Sequence, residues 1–177
     1  MYDVAYTEYK GLRTLFQCIA ERGFFIMDNL TKIIFLDIDG VLNNHASIAE
    51  GIQILPEKCK LIRTVCEKTE AKIVISSTWR RSCLVQQLDH LLWVCGGPYG
   101  AVIAATPCID NVIRGREIQE WTKSARERTK QKVAEKYVII DDDSDFLEYQ
   151  LPFHIKTDMR TGLLSRDLDK IFEILGK

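Results

Sequence analysis

Two aspartates with the spacing of a catalytic pair follow an apolar run. Asp37 and Asp39 come directly after residues 33–36, and Gly40 follows them. Carboxylates this close repel each other unless a cation or a shared proton offsets their charge. An ionised carboxylate can attack phosphorus when Mg²⁺ offsets the repulsion, and a second carboxyl can protonate the leaving oxygen and later activate water. The pair therefore indicates phosphoryl chemistry.

Polar side chains also end two later apolar runs. Ser76 and Ser77 follow the first of these runs, and a cluster of acids at residues 141–145 follows the second. Arg114 lies between the two groups in the sequence. Acids in that number form a hard oxygen site suited to Mg²⁺, while the arginine and the hydroxyls suit a phosphoryl group. The alternative for the serines is a helix cap followed by a solvated basic turn.

Strands and helices must alternate to bring these groups together. Short runs rich in Ile and Val are separated by segments with helical periodicity, which predicts an α/β fold with a Rossmann-like parallel sheet and helices on both faces. In such folds the ligands lie at the carboxyl edge of the sheet. Residues 41–54 are expected to form a loop or a small hairpin. A long helix is expected to carry Ile118, Trp121, Ala125 and Val133 on one face.

The domain organisation is read from length and from the position of the first strand. The 177 residues suit one full core, placed at 31–177, with residues 1–30 as an N-terminal helical extension. Whether that helix docks on the core, forms an interface or is an upstream extension before Met27 stays open.

Composition limits the environment and the partners. A net charge of -1 gives no global attraction to nucleic acid, so such a partner would need a local basic patch. The 6 cysteines are scattered without a Cys-x-x-Cys motif, which favours reduced, buried thiols over a zinc site. No run is long enough to span a bilayer and no secretion signal is evident, so we expect a cytoplasmic protein without a membrane partner.

In their order along the chain these motifs resemble the haloacid dehalogenase-like (HAD) superfamily of phosphotransferases. The resemblance implies that Asp37 is the nucleophile and Asp39 the general acid/base. It implies a phosphate-binding role for Arg114 and for Ser77, with Ser76 one register step away as a competitor.

The same resemblance implies a Mg²⁺ site. Its expected ligands are Asp37 and Asp39 together with Asp141 and Asp142, and which of the last two leads stays open. The expected fold is therefore HAD-like. Only 36 residues separate Asp39 from Ser76, which leaves room for a minimal cap or none. An open site admits a polymer end more readily than a lidded one.

A narrower similarity is to the HAD domains of Swiss-army-knife RNA-repair proteins. It is carried by residues 74–80, 106–107, 114–121, 140–145 and 161–164. It implies a phosphomonoesterase that removes phosphates from nucleic-acid 3′ or 5′ ends through an aspartyl-phosphate intermediate.

A basic stretch could serve such a substrate. From residue 114 to residue 136 there are eight Lys or Arg against four Glu. We expect Arg80, Arg81, Arg116 and Lys123 to hold phosphates that flank the scissile one. The alternatives are a small-molecule or mononucleotide phosphatase, or a non-catalytic phosphate-binding module of the same fold. RNA versus DNA and the oligomeric state stay open.

Overall fold

A five-stranded parallel sheet organises residues 30–130 and 132–176, the part of the chain that the computed structural model describes. The strands follow the order β3-β2-β1-β4-β5, so β1 is central, and every neighbouring pair is parallel. This confirms the predicted Rossmann-like α/β class. The strands are β1 (Lys32–Leu36), β2 (Lys72–Ile75), β3 (Val102–Ala105), β4 (Lys136–Asp141) and β5 (His154–Lys156).

The described residues also contain five α-helices and three short 3₁₀ helices. The α-helices are α1 (His45–Ala49), α2 (Pro56–Thr69), α3 (Val85–Val94), α4 (Arg114–Thr129) and α5 (Leu168–Leu175). The 3₁₀ helices are Thr78–Arg81, Glu148–Phe153 and Ser165–Asp167.

Residues 41–54, predicted as a loop or a small hairpin, form a loop that contains the short helix α1, and no strand pairs within them. The side chain of Asn44 accepts a hydrogen bond from the amide of Ser47, and the Ser47 hydroxyl accepts one from the amide of Asn44. This reciprocal capping box satisfies amides that a helix start leaves without partners. Between β1 and α2 the described chain therefore inserts only this five-residue helix.

Helix α4 ends earlier than predicted. Lys130 adopts a left-handed conformation with φ 54°, which terminates the helix after Thr129. Val133 therefore lies beyond the helix, although it is buried in the same apolar cluster as Ile118 and Trp121. The prediction that Val133 lies on this helix was wrong.

The central strand is covered on both faces. Ile34 and Leu36 belong to the apolar cluster that includes residues of α2, α3 and α5. Ile33 and Phe35 point to the other face, where the Phe35 ring packs edge-on against Trp121 of α4 with centroids 5.5 Å apart. Successive side chains of a strand alternate between faces, so an unbroken apolar strand needs a cover on each. Helices on both faces are thereby confirmed.

Other sequence predictions meet the structure only in part. The predicted extension at residues 1–30 lies outside the described residues except for Leu30. No described helix is long and apolar enough to cross a membrane.

The described cysteines are free thiols, but only Cys59 and Cys66 are buried, and Cys108 is exposed. Burial raises the pKa of Cys59 and Cys66 to about 12.

Candidate active site

The register of the sheet brings three polar residues to one level of its carboxyl edge. The last residue of β1 is level with the last residue of β2 and with the fifth of β4. Asp37, Ser76 and Asp141 come next on these strands. The amide of Asp37 donates to the carbonyl of Ile140 at 3.0 Å, and the amide of Ser76 donates to that of Leu36 at 2.9 Å. The sheet hydrogen bonds therefore continue into the site.

Three carboxylates converge at this edge. Each of Asp37, Asp141 and Asp142 offers an oxygen atom, and these atoms lie within 4.8 Å of one another. Burial raises the pKa of Asp37 despite the opposing charge of Arg114. Burial, together with the charge of Asp37, raises the pKa of Asp141 to about 7, and burial also raises that of Asp142. Burial and the mutual repulsion of the acids therefore disfavour the charged forms of these carboxyl groups.

Arg114 supplies positive charge to two of the three carboxylates. Its Nη1 atom lies 3.1 Å from Oδ2 of Asp37 and 3.0 Å from Oδ2 of Asp141. The same atom donates to the carbonyl of Ser76 at 3.0 Å. Arg114 is the first residue of α4, and its amide donates to Oδ2 of Asp145 at 2.9 Å. Asp145 therefore fixes the start of the helix that carries the arginine.

The two serines have different surroundings. Both are fully buried. A hydrogen bond from the Ser77 hydroxyl lowers the pKa of Asp37 and opposes the effect of burial, and the Ser77 oxygen accepts from the amide of Trp79 at 3.4 Å. The Ser76 hydroxyl has no hydrogen-bond partner in the described residues. The structure thus brings Ser77 into contact with the expected nucleophile.

Arg80 makes contacts within the protein that differ from the expected contact with a phosphate. Its guanidinium pairs with Glu117 of α4 and donates to the carbonyls of Ser76 at 2.7 Å and Ser77 at 2.5 Å. Only 6% of the Arg80 side chain is exposed. These contacts stabilise the turn that carries the two serines. The predicted phosphate contact of Arg80 stays a prediction.

The carboxyl group of Asp39 lies outside the three-carboxylate cluster found in the described residues. Its Oδ1 atom accepts from Nδ2 of Asn43 at 2.8 Å, and its Oδ2 atom accepts from Nε1 of Trp79 at 2.9 Å. Neither Asn43 nor Trp79 is among the predicted site residues. The position of Trp79, two residues after Ser77, was the available sequence signal.

Gly40 is required by space as well as by conformation. Its φ of 67° lies in the left-handed region that favours glycine. A Cβ atom there would lie 2.4 Å from Cγ of Asp142. The carbonyl of Gly40 accepts from the Thr157 hydroxyl at 2.7 Å, which ties the loop after β1 to the residue after β5.

One protein family accounts for this arrangement. The model of the HAD domain in Swiss Army Knife RNA repair proteins matches residues 33–168, a range that includes every site residue described above. The chain belongs to this family. No curated protein and no solved structure matches the chain. Membership supports a hydrolase of the HAD phosphatase type.

The residues of this HAD domain fit a divalent cation. The donors are carboxylate oxygens, the hard ligands that Mg²⁺ prefers, and HAD proteins generally use Mg²⁺. Arg114 contacts two of the three carboxylates, so one positive charge faces three acids. The absence of a side chain at Gly40 leaves space for Asp142 beside the other two acids.

Proposed function

We propose that this protein is a Mg²⁺-dependent phosphomonoesterase that acts through an aspartyl-phosphate on Asp37, with phosphorylated nucleic-acid ends as its substrates. One observation supports the chemistry most directly. Asp37 lies within a cluster of carboxylates and contacts both a guanidinium, that of Arg114, and a hydroxyl, that of Ser77. This set provides a nucleophile together with donors for the oxygens of a phosphoryl group.

In the first step, the Asp37 carboxylate attacks phosphorus and the bond from phosphorus to the leaving oxygen breaks. Arg114 and Ser77 donate to the nonbridging oxygens, where charge is concentrated as the group transfers. Asp39 gives a proton to the leaving oxygen, so an alcohol departs and not an alkoxide.

In the second step, Asp39 returns as a base. It takes a proton from water, and the water oxygen attacks phosphorus of the aspartyl-phosphate. The bond from phosphorus to the Asp37 oxygen breaks, which releases inorganic phosphate and restores the carboxylate.

Asp37, Asp141 and Asp142 would hold the cation. When bound, Mg²⁺ offsets the negative charge that opposes the approach of a carboxylate to a phosphate. The side chain of Asp39 stays available for proton transfer because Trp79 and Asn43 hold it outside the carboxylate cluster.

The nucleic-acid part of the proposal rests on three supports. The family description places related HAD domains in RNA repair proteins. A cleft of about 210 Å³ adjoins Arg114 and is lined in part by Arg81 and Asn111, which gives room for groups beside the scissile phosphate. Helix α4 starts at Arg114 and exposes the basic side chains of Arg116 and Lys123.

The deciding experiment combines Asp37→Asn with a substrate panel. We expect Asp37→Asn to lower turnover of p-nitrophenyl phosphate by roughly a thousandfold or more, because it removes the nucleophile. Beryllium fluoride, a phosphoryl mimic, should bond to the Asp37 carboxylate in a crystal grown with Mg²⁺. Chelation of Mg²⁺ should abolish turnover and its re-addition should restore it.

The panel contains 3′- and 5′-phosphorylated RNA and DNA oligonucleotides, mononucleotides and phosphopeptides. The proposal predicts the highest kcat/KM on an oligonucleotide. A mononucleotide hydrolysed faster than every oligonucleotide would reject the polymer substrate and favour a mononucleotide phosphatase. Turnover retained by Asp37→Asn would reject the covalent mechanism.

A further inference from the structure

Both carboxylate oxygens of Asp39 accept a hydrogen bond from an uncharged side chain. Nε1 of Trp79 lies 2.9 Å from Oδ2, and Nδ2 of Asn43 lies 2.8 Å from Oδ1. We infer that Trp79 is a positioning residue that, together with Asn43, fixes the orientation from which Asp39 transfers its proton. This inference rests on the proposed function, in which Asp39 is the general acid/base.

The two hydrogen bonds leave Asp39 able to carry a proton. A carboxylate offers about four lone-pair sites, two on each oxygen. Trp79 and Asn43 occupy one site on each oxygen, so a site on each oxygen can still take a proton. The donors therefore restrict rotation of the carboxyl group without blocking its chemistry.

Asn43 is fixed by contacts of its own. It is 1% exposed, its Nδ2 atom also donates to the carbonyl of Gln53 at 3.0 Å, and its Oδ1 atom accepts from the amide of Gly40 at 2.8 Å. The amide group thus connects Asp39 to the loop after β1 and to the segment before α2. Replacing Asn43 would also remove the partner of the buried Gly40 amide and a donor to the carbonyl of Gln53, so Trp79 is the better residue to test.

The indole of Trp79 is fixed from two sides. It packs against the apolar cluster on the α2 side of the sheet. Its backbone lies in the 3₁₀ turn Thr78–Arg81, which Arg80 stabilises through its ion pair with Glu117 and its bonds to the carbonyls of Ser76 and Ser77. The buried ion pair therefore contributes to the position of the indole N–H.

The expected effect follows from the strength of the contact. A hydrogen bond to a charged group contributes enough that its loss corresponds to about a ten- to hundredfold change in a rate or an equilibrium. Small errors in the placement of a catalytic group lower rates by comparable factors. Loss of the indole donor should therefore slow proton transfer from Asp39 by about tenfold or more.

The test compares Trp79→Phe, which keeps an aromatic ring but removes the donor, with Trp93→Phe. Trp93 is 48% exposed on α3, where its ring packs against His90 and Tyr99, and serves as the matched control. In ¹H–¹⁵N spectra, Trp79→Phe identifies the indole signal of Trp79 by its disappearance. Asp39→Asn should shift that signal and leave the signal of Trp93 in place.

The kinetic readout separates proton transfer from binding. Phenyl phosphate has a more basic leaving group than p-nitrophenyl phosphate, so its cleavage depends more on a general acid. In single-turnover assays, Trp79→Phe should slow release of phenol by about tenfold and release of p-nitrophenol by less than about threefold. The KM measured in steady-state assays should stay unchanged. In an Asp39→Asn background, Trp79→Phe should cause no further loss, since the two residues act as one unit.

Each result supports or rejects the inference. Equal losses on both phosphates that persist in the Asp39→Asn background would show that Trp79 acts only through the fold. Wild-type rates in Trp79→Phe, or an indole signal that Asp39→Asn does not shift, would also overturn the positioning role. If Asp37→Asn is inactive in those same assays, the proposed function survives; if Asp37→Asn retains turnover, the proposed function fails and the inference fails with it.

Discussion

Gly40 approaches Asp142 so closely that a Cβ atom on Gly40 would lie 2.4 Å from Cγ of Asp142. The backbone of Gly40 also has a φ of 67°. Two requirements therefore coincide at one position: a left-handed conformation and an empty space beside a carboxylate of the candidate Mg²⁺ site. The two requirements can be tested separately, because another glycine has the left-handed conformation without a close neighbour. Gly100 has a φ of 66°, and a Cβ atom there would meet nothing within 4 Å.

Gly40→Ala should weaken Mg²⁺ binding, while Gly100→Ala should not. Both variants place alanine in the left-handed region, which costs roughly 1–2 kcal/mol of folding free energy. Only Gly40→Ala displaces Asp142, so we expect its Mg²⁺ affinity and its turnover to fall by about tenfold, as for loss of a well-placed ligand contact. Calorimetric titration with Mg²⁺ checks this. Equal Mg²⁺ affinity in the two variants would contradict the packing argument.

Arg114→Ala should lower turnover of both an oligonucleotide and p-nitrophenyl phosphate by about a hundredfold or more, the range seen when a donor to developing charge is removed. The Nη1 atom of Arg114 contacts Asp37 and Asp141. The phosphoryl group of either substrate must bind at this position. Arg116→Ala, two residues along the same helix and exposed, is the matched control and should leave p-nitrophenyl phosphate turnover unchanged. Steady-state kinetics with the two substrates measures both effects.

The stability of the metal-free protein should fall as pH rises from about 4 to above 7. Burial, with the charge of Asp37 added, raises the pKa of Asp141 from 3.8 to about 7. The folded state therefore binds this proton more tightly than the unfolded state does. The resulting stabilisation is complete below pH 3.8 and is lost as pH rises through about 7.

Urea unfolding in EDTA between pH 5 and 8 checks this dependence. Asp141→Asn has no carboxyl to titrate at this position, so its profile should be flatter over the same range. Mg²⁺ should stabilise the wild-type protein more at pH 8 than at pH 5, because protons compete with the cation for carboxylates. A wild-type profile that matches Asp141→Asn would show that this carboxyl does not govern the pH dependence.

Reversing two charges on α4 should weaken binding of a polymer and leave a small substrate unaffected. Arg116 and Lys123 are exposed, and each contact of such a side chain with a polymer phosphate releases counterions. We expect the double variant Arg116→Glu, Lys123→Glu to raise KM for an oligonucleotide by about tenfold at low salt and to flatten its salt dependence. The KM for p-nitrophenyl phosphate should stay unchanged.

The control for this experiment reverses two charges on the opposite face of the sheet. Arg63 and Lys68 lie on α2, and the variant Arg63→Glu, Lys68→Glu changes the net charge by the same amount. It should leave both KM values near those of the wild type. A similar rise of the oligonucleotide KM in the two double variants would indicate a general charge effect and not a path along α4.

The class of fold and the three strand ends that meet at the site could be predicted from the amino-acid sequence. Apolar runs that end at Asp37, Ser76 and Asp141 form parallel strands, and parallel strands place their carboxyl ends at one edge. The residues that follow the runs are therefore expected at one edge, and the register, which aligns β1 with both neighbours, brings them to the same level.

The contacts of the side chains that extend from this edge could not be predicted in the same way. Asp39 and Trp79 are 40 residues apart, and no periodicity in the sequence relates them. Arg80 lies beside the serines, and the sequence does not reveal that the buried carboxylate of Glu117 pairs with its guanidinium. A buried charge needs a partner, and which partner it finds depends on how two distant elements pack.

Helix α4 also combines a feature that the sequence predicts with one that depends on packing. The apolar spacing of Ile118, Trp121 and Ala125 predicted the buried face correctly, because that face follows from the helical repeat. The helix stops at Thr129 through a left-handed Lys130, a residue type that carries no stop signal comparable to glycine. Periodicity is a local property that the sequence encodes directly, whereas helix ends and side-chain partners depend on the free energy of packing in the complete fold.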